Sequence, residues 1–154
     1  MPIRTAAAIL LAVFLLASVA YGAEEADAIL GLWNIPDNEA QFEIYKCGED
    51  YCGKITYMEE PNYPPNDKLM PGRPKVDREN PDPQLRSRPM LGMPLMEGFR
   101  YEGNNTWRGR IYNPEDGKTY RCKLSLDIKN RLNVRGYLGI VLLGRTQRWT
   151  RPGS

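Results

Sequence analysis

The chain has no histidine in its 154 residues. That removes the usual general base near neutral pH and the commonest metal ligand. Ser87 and Ser125 therefore lack an imidazole partner, and no nucleophile-elbow pattern surrounds them. A metal would need carboxylates alone, and no calcium-loop spacing is present. Adjacent acids such as Glu24–Glu25 and Glu59–Glu60 point opposite ways along extended chain. No catalytic residue, cofactor or metal site is assigned on these grounds. A surplus of one charge is missing too. The formal net charge is +2, and beyond the first 22 residues acids and bases nearly balance, which gives no bulk attraction to nucleic acid or anionic lipid. Long helical runs are also scarce, because 13 prolines and 14 glycines break the chain into short strands and turns.

One apolar run is present, at the start. Met1–Pro2–Ile3–Arg4 is short and basic, Thr5 to Val19 is almost wholly apolar, and small residues follow at Ser18, Ala20 and Gly22. This pattern reads as a secretory signal peptide over 1–22, cleaved after Ala20 or after Gly22. The run is shorter than the ~20 residues a bilayer span needs. Glu24, Glu25 and Asp27 follow it, and no cysteine lies near the cleavage zone to carry a lipid. Residues 23–154 are then one domain, periplasmic or secreted, with no integral membrane segment.

Export makes the cysteines readable. Cys47 and Cys52 flank Gly48–Glu49–Asp50–Tyr51, a turn-like segment between two strand-like runs. Opposed strand ends bring such a pair to disulfide distance in an oxidising compartment. The spacing differs from a thioredoxin-like C-x-x-C, so a structural bridge is expected. Cys122 shares an alternating face with Tyr120, Leu124 and Leu126 and is expected to point inward as a small core residue.

Eight strands are expected: 31–35, 41–46, 54–58, 95–101, 107–112, 119–127, 132–137 and 142–150. Short turns join them, except for a proline-rich, charged insertion over 59–92. In it, Asp82 and Pro83 suit the opening of one short helix. This spacing favours an all-β, antiparallel up-and-down barrel over a two-sheet sandwich. With no long helix to cover a sheet face, closure removes exposed edges. Eight strands enclose either a side-chain core or one small ligand.

Two constellations stand out. At the closing seam, Gly31, Trp33 and Trp149 would meet, with Arg145 or Arg148 laying a guanidinium over the Trp33 ring. In the insertion, Lys75, Asp77, Arg78, Asp82, Arg86 and Arg88 gather charge. Arg86 and Arg88 are two apart, so in extended chain they project together and suit a carboxylate or phosphate. The competing reading has them bonded to Asp77, Asp82 and loop carbonyls, pinning the insertion. Trp107 and Tyr137 complete the candidate ligand-facing set.

These residues resemble a known family. Gly31–Leu32–Trp33, Glu43–Ile44–Tyr45–Lys46–Cys47–Gly48 with Cys52–Gly53, and Lys75–Val76–Asp77 come first. Asn80–Pro81–Asp82–Pro83, Leu85–Arg86–Ser87–Arg88–Pro89 and Gly117–Lys118–Thr119–Tyr120 follow. Val134–Arg135–Gly136–Tyr137 and Gly144–Arg145–Thr146 with Trp149 end the series. In this order they resemble the uncharacterised exported bacterial proteins grouped as domain of unknown function 2147. The resemblance implies a lipocalin-like (calycin) barrel in the bacterial envelope or outside the cell. It assigns no reaction and no catalytic residue, and Cys122 departs from its pattern. Three functions are weighed. One is a barrel that binds a small apolar or amphipathic molecule. Another is an envelope interaction or structural module with a solid barrel. The third, an enzyme, is disfavoured by the missing histidine. Neither a nucleic-acid partner nor an oligomeric state is indicated.

The cysteine reading is directly testable. Reduction is expected to add two hydrogens to the single peptide carrying Cys47 and Cys52, seen by peptide mass mapping. Two free thiols there in freshly exported protein would refute the bridge.

Overall fold

A computed structural model describes residues 24–36, 39–128, 130–137 and 146–153. The leader and residues 142–145 of the expected last strand, Arg145 among them, lie outside the described residues. Eight strands follow in chain order: β1 Gly31–Asn34, β2 Ala40–Cys47, β3 Asp50–Met58, β4 Pro94–Gly103, β5 Thr106–Asn113, β6 Lys118–Leu126, β7 Leu132–Tyr137 and β8 Thr146–Trp149. Each pairs antiparallel with its sequence neighbour, in one sheet ordered β1 to β8. Just beyond β8, Asn34 and Thr150 exchange two backbone hydrogen bonds, of 2.8 and 3.0 Å, and bring the two outer strands together. The architecture is thus a nearly closed up-and-down barrel rather than a sandwich.

Alternation along each strand fills the interior. Trp33, Trp107, Trp149, Phe99, Met96 and Leu124 are fully buried. Trp149 stacks on Phe42 with ring centroids 4.8 Å apart. Gly109 leaves the space that Phe99 occupies, since a Cβ there would lie 2.6 Å from the ring. Cys122 sits in this core, as its alternating face requires, and burial pushes its thiol up to about 12. The Cys47–Cys52 disulfide is present, with Cα atoms 5.9 Å apart. Its turn is tighter than expected. Only Gly48 and Glu49 lie outside the strands, while Asp50 and Tyr51 already pair with Cys47 and Lys46.

Residues 24–30 plug the end of the barrel where the β2–β3 turn lies. The indoles of Trp33 and Trp107 donate to the carbonyls of Ile29 (2.8 Å) and Ala26 (3.0 Å). The Tyr51 hydroxyl donates to Asp27 at 2.6 Å, and Lys46 pairs with the same carboxylate. Ile29 fills the centre of the plug and is fully buried.

Among the described residues the seam arginine is Arg151 rather than the anticipated Arg148; Arg145, the other candidate, lies outside them. Arg151 lies over the Trp33 ring at 3.8 Å and donates to the carbonyls of Leu30 (2.7 Å) and Ala28 (2.8 Å). Gly31, at φ +104, leaves room for it, because a Cβ there would sit 3.1 Å from Nη1. Arg148 is exposed. Strand alternation explains the difference: Trp149 points inward, so its neighbour Arg148 points out.

Arg151→Ala should therefore cost about 2–4 kcal/mol, from a desolvated cation–π contact and orphaned carbonyls. Arg151→Lys should recover only part of that loss, lacking the planar fork. Urea denaturation checks both. Parent-like stability of the alanine variant would remove the seam role.

Candidate functional site

The insertion rises from the barrel end opposite the plug, between β3 and β4. It has a built backbone of its own. Tyr63 and Lys75 donate to the carbonyls of Arg73 and Pro61, each at 2.8 Å. Asp77 donates to the Arg88 carbonyl at 2.9 Å, and Met90 to that of Lys75 at 3.1 Å. The segment thus folds as a ribbon around bridges Asn62–Pro74 and Val76–Pro89. Asp82 caps a turn of 3-10 helix, Pro83–Leu85, by accepting from the Gln84 amide at 3.0 Å.

Asp77 is the centre of this ribbon and has no solvent exposure. One carboxylate oxygen accepts from Asn80 Nδ2 (2.7 Å) and Arg88 Nη2 (2.8 Å). The other accepts from the Tyr112 hydroxyl at 2.6 Å. A buried carboxylate needs such donors, and the guanidinium supplies the opposite charge. Tyr112 belongs to β5, on the outward face shared with Arg110, so this bond ties the insertion to the barrel wall. A second contact lies at the β5–β6 turn, where the Glu79 carbonyl packs so closely on Gly117 that a Cβ would meet it at 2.1 Å.

Arg86 and Arg88 do not project together. Arg86 closes the 3-10 turn with helical φ −64 and ψ −21, which breaks the two-residue alternation. Its Nε donates to the Asn80 carbonyl at 2.8 Å. Arg88 turns to Asp77. The paired fork expected for an anion is thus divided between two internal partners. Asp77, Asp82, Arg86 and Arg88 do come together, but as the frame of the insertion. The Lys75 side chain reaches only the exposed Glu60, at 4.0 Å. Trp107 is at the plug end inside the barrel, far along the chain from this frame. Tyr137 pairs through its backbone with Arg121; its side chain lies outside the described residues.

Beside the frame is an open cleft of about 590 Å³. Met70, Pro74, Val76 and Pro83 give it apolar walls, and Arg73 and Arg86 stand at its edge. Arg78 also lines it, but is held by Asp67 at 2.9 Å and lies over the Tyr63 ring at 4.3 Å. The backbone N–H of Met70, then Arg78 and the Leu69 amide, hold the Asp67 carboxyl down at about 2. Arg73 has no described side-chain partner, and Arg86 uses only Nε, so the terminal N–H groups of both are without a described partner. Arg78 belongs to the charged set read from the insertion, whereas sequence reading missed Arg73, which carries no motif signal, and Tyr112, whose alternating position reads only as surface. A second depression of about 350 Å³, lined by Glu49, Asp50, Tyr51 and Arg100, lies at the plug end. Among the described residues no group of three His, Cys, Asp or Glu side chains is placed to hold a metal. No described helix is long and apolar enough to cross a membrane.

The sequence model of a bacterial family, described as uncharacterized protein conserved in bacteria (DUF2147), matches residues 31–151. The chain belongs to this family. The match runs from Gly31 to Arg151, the two residues in contact at the seam. No curated protein matches the chain in sequence. Among solved structures the DUF2147 barrel is similar to protein HP1028 from Helicobacter pylori, described as belonging to the lipocalin family. The TM-score is 0.66 at 20% identity, over 82% of this chain and 84% of that one. At that identity the likeness shows a lipocalin-like fold.

The Asp77–Tyr112 tie carries a pH signature. Burial, and then the Asp77 bond, push the Tyr112 hydroxyl from 10.0 up to about 12. The neutral phenol is therefore favoured in the folded state. Its contribution is complete below pH 10 and is lost as pH rises through about 12. Tyr112→Phe should lower stability at neutral pH by about 1–3 kcal/mol. It should also flatten the alkaline decline and speed proteolysis within 59–92. Denaturation at several pH values and limited digestion read these effects. An unchanged alkaline limb would show that Tyr112 is not the linked group.

Proposed function

We propose that the protein is exported by removal of its leader and acts in the periplasm or outside the cell as a binding module. Its ligand is a small amphipathic anion, taken by the insertion cleft rather than by the barrel lumen. The observation that carries this reading is the pairing of an apolar cleft floor with the terminal nitrogens of Arg73 and Arg86. The volume falls within the range of about 300–1,000 Å³ usual for small-molecule sites. A planar guanidinium pair suits a carboxylate or phosphate head, and Met70, Val76 and the prolines suit a short apolar body. A ligand in the lumen would have to displace Trp33, Phe99 and Met96, all fully buried. Binding fits better than turnover, since the buried carboxylate Asp77 is engaged by three donors and points at the barrel wall. The filled lumen also favours a second role for the barrel itself, as an envelope interaction module.

Titration with a brominated fatty carboxylate separates the two locations. Binding in the cleft should leave the emission of the buried tryptophans unquenched and weaken about tenfold or more in Arg73→Ala, the size of one charged hydrogen bond. Strong quenching with no effect of Arg73→Ala would move the ligand into the lumen. Absence of binding to the carboxylate and to its phosphate analogue would remove the cleft reading.

A further inference from the structure

Balanced composition conceals a sorted surface. The outward positions of β5 are Thr106, Arg108, Arg110 and Tyr112. Those of β6 are Thr119, Arg121, Lys123 and Ser125, and those of β7 include Asn133 and Arg135. None is a carboxylate. The register then lines the cations up. Arg108 stands opposite Arg100 on one side and Lys123 on the other, and Lys123 stands opposite Arg135. One step along the strands, Arg110 stands opposite Arg121. Exposed Arg148 on β8, opposite Asn133, extends the field.

Neighbouring strands lie about 4.8 Å apart. Like charges directly opposite each other destabilise a sheet. Local acids answer only the margin of the field: Asp50 takes Arg100 at 2.7 Å, and Glu102 takes Arg108 at 2.5 Å. Glu97 stands opposite Arg110 but forms no ion pair with it. Arg110, Arg121, Lys123, Arg135 and Arg148 have no ion pair among the described residues, and Arg135 Nε is buried without a hydrogen-bond partner. An external array of anions would relieve this repulsion.

A second observation selects the kind of array. Ile128, in the turn joining β6 to β7, is the most exposed large apolar side chain described, at 103%. It projects beyond the end of β6, the strand that carries Arg121 and Lys123. A basic surface beside an exposed apolar tip is the arrangement that binds an anionic bilayer, by attraction to headgroups and shallow burial of the tip. The described wall offers no free aromatic ring on which a nucleic-acid base would stack, since Tyr112 is engaged by Asp77.

We propose that the outer wall of β5–β8, with Ile128 at its end, docks the barrel on an anionic lipid surface. The wall shares no residue with the insertion cleft, so the two readings fail separately.

Cosedimentation with phosphatidylglycerol–phosphatidylcholine vesicles tests it. Binding should exceed that to pure phosphatidylcholine and fall steeply as salt rises. Arg110→Gln, Arg121→Gln and Lys123→Gln should each weaken it about fivefold, the effect of roughly one surface cation. The triple variant should melt no lower than the parent, because it removes like-charge neighbours. Lys68→Gln, the same charge change on the insertion, should bind as the parent does. Ile128→Ser should weaken binding without altering its salt slope. Equal binding to neutral vesicles, or parent-like binding by the folded triple variant, would overturn the proposal. Equally tight binding of a short DNA duplex at the same salt would also overturn it, by making the wall a general polyanion site.

Discussion

The barrel depends on one contact, the Arg151 guanidinium lying on the Trp33 ring. Among the described residues, a single backbone pair, Asn34 with Thr150, joins β1 to the end of the chain. Two hydrogen bonds are little to hold a seam against the twist of eight strands. Arg151 adds a flat cation on an aromatic face and spends its N–H groups on the carbonyls of Ala28 and Leu30. The same side chain therefore holds the last strand, the first strand and the plug. Trp33 is bonded in turn to Ile29, so the plug is seated by the ring that Arg151 covers.

Sealing one end and filling the interior changes where function is to be sought. A lipocalin-like fold suggests a lumen, yet here the indoles, Phe99 and the methionines occupy it. The two proposed binding surfaces both lie outside it. The insertion spends a buried carboxylate and its donors on fixing one ribbon to β5, and this rigidity is what holds a cleft open beside it. The wall around the barrel bears cations at strand spacing. Both surfaces are consequences of a solid core, which holds surface side chains in register without moving itself.

Legibility in the sequence followed the range of the interaction. Strands were readable because alternation is local: Phe42 with Ile44, and Cys122 with Leu124, mark their own faces. The disulfide was readable because its cysteines are only five positions apart. Alternation from Trp149 likewise places Arg148 outside, on the face opposite to that of Arg151. Asp82 and Pro83 signal the helical turn at Pro83–Leu85, and Arg86 at its end leaves the extended alternation that would align it with Arg88. The pairing of Asp77 with Tyr112 spans 35 positions and no motif announces it. Arg73 is joined to Arg86 only by the fold of the ribbon, where both line one cleft.

The sequence by itself determined an all-β chain of eight strands with one insertion, a local disulfide and an inward Cys122. Backbone periodicity and short turns are written in neighbouring residues. Tertiary structure decided which arginine closes the seam, that the lumen is filled, and that Asp77 anchors the insertion to the wall. It also decided that nearly balanced charges are unevenly sorted. Arg100, Arg108, Lys123 and Arg135 are scattered along 36 residues of sequence and meet only through strand register. Net charge is a sum over the chain, whereas the field at a surface depends on distance, and distance between strands is set only by folding.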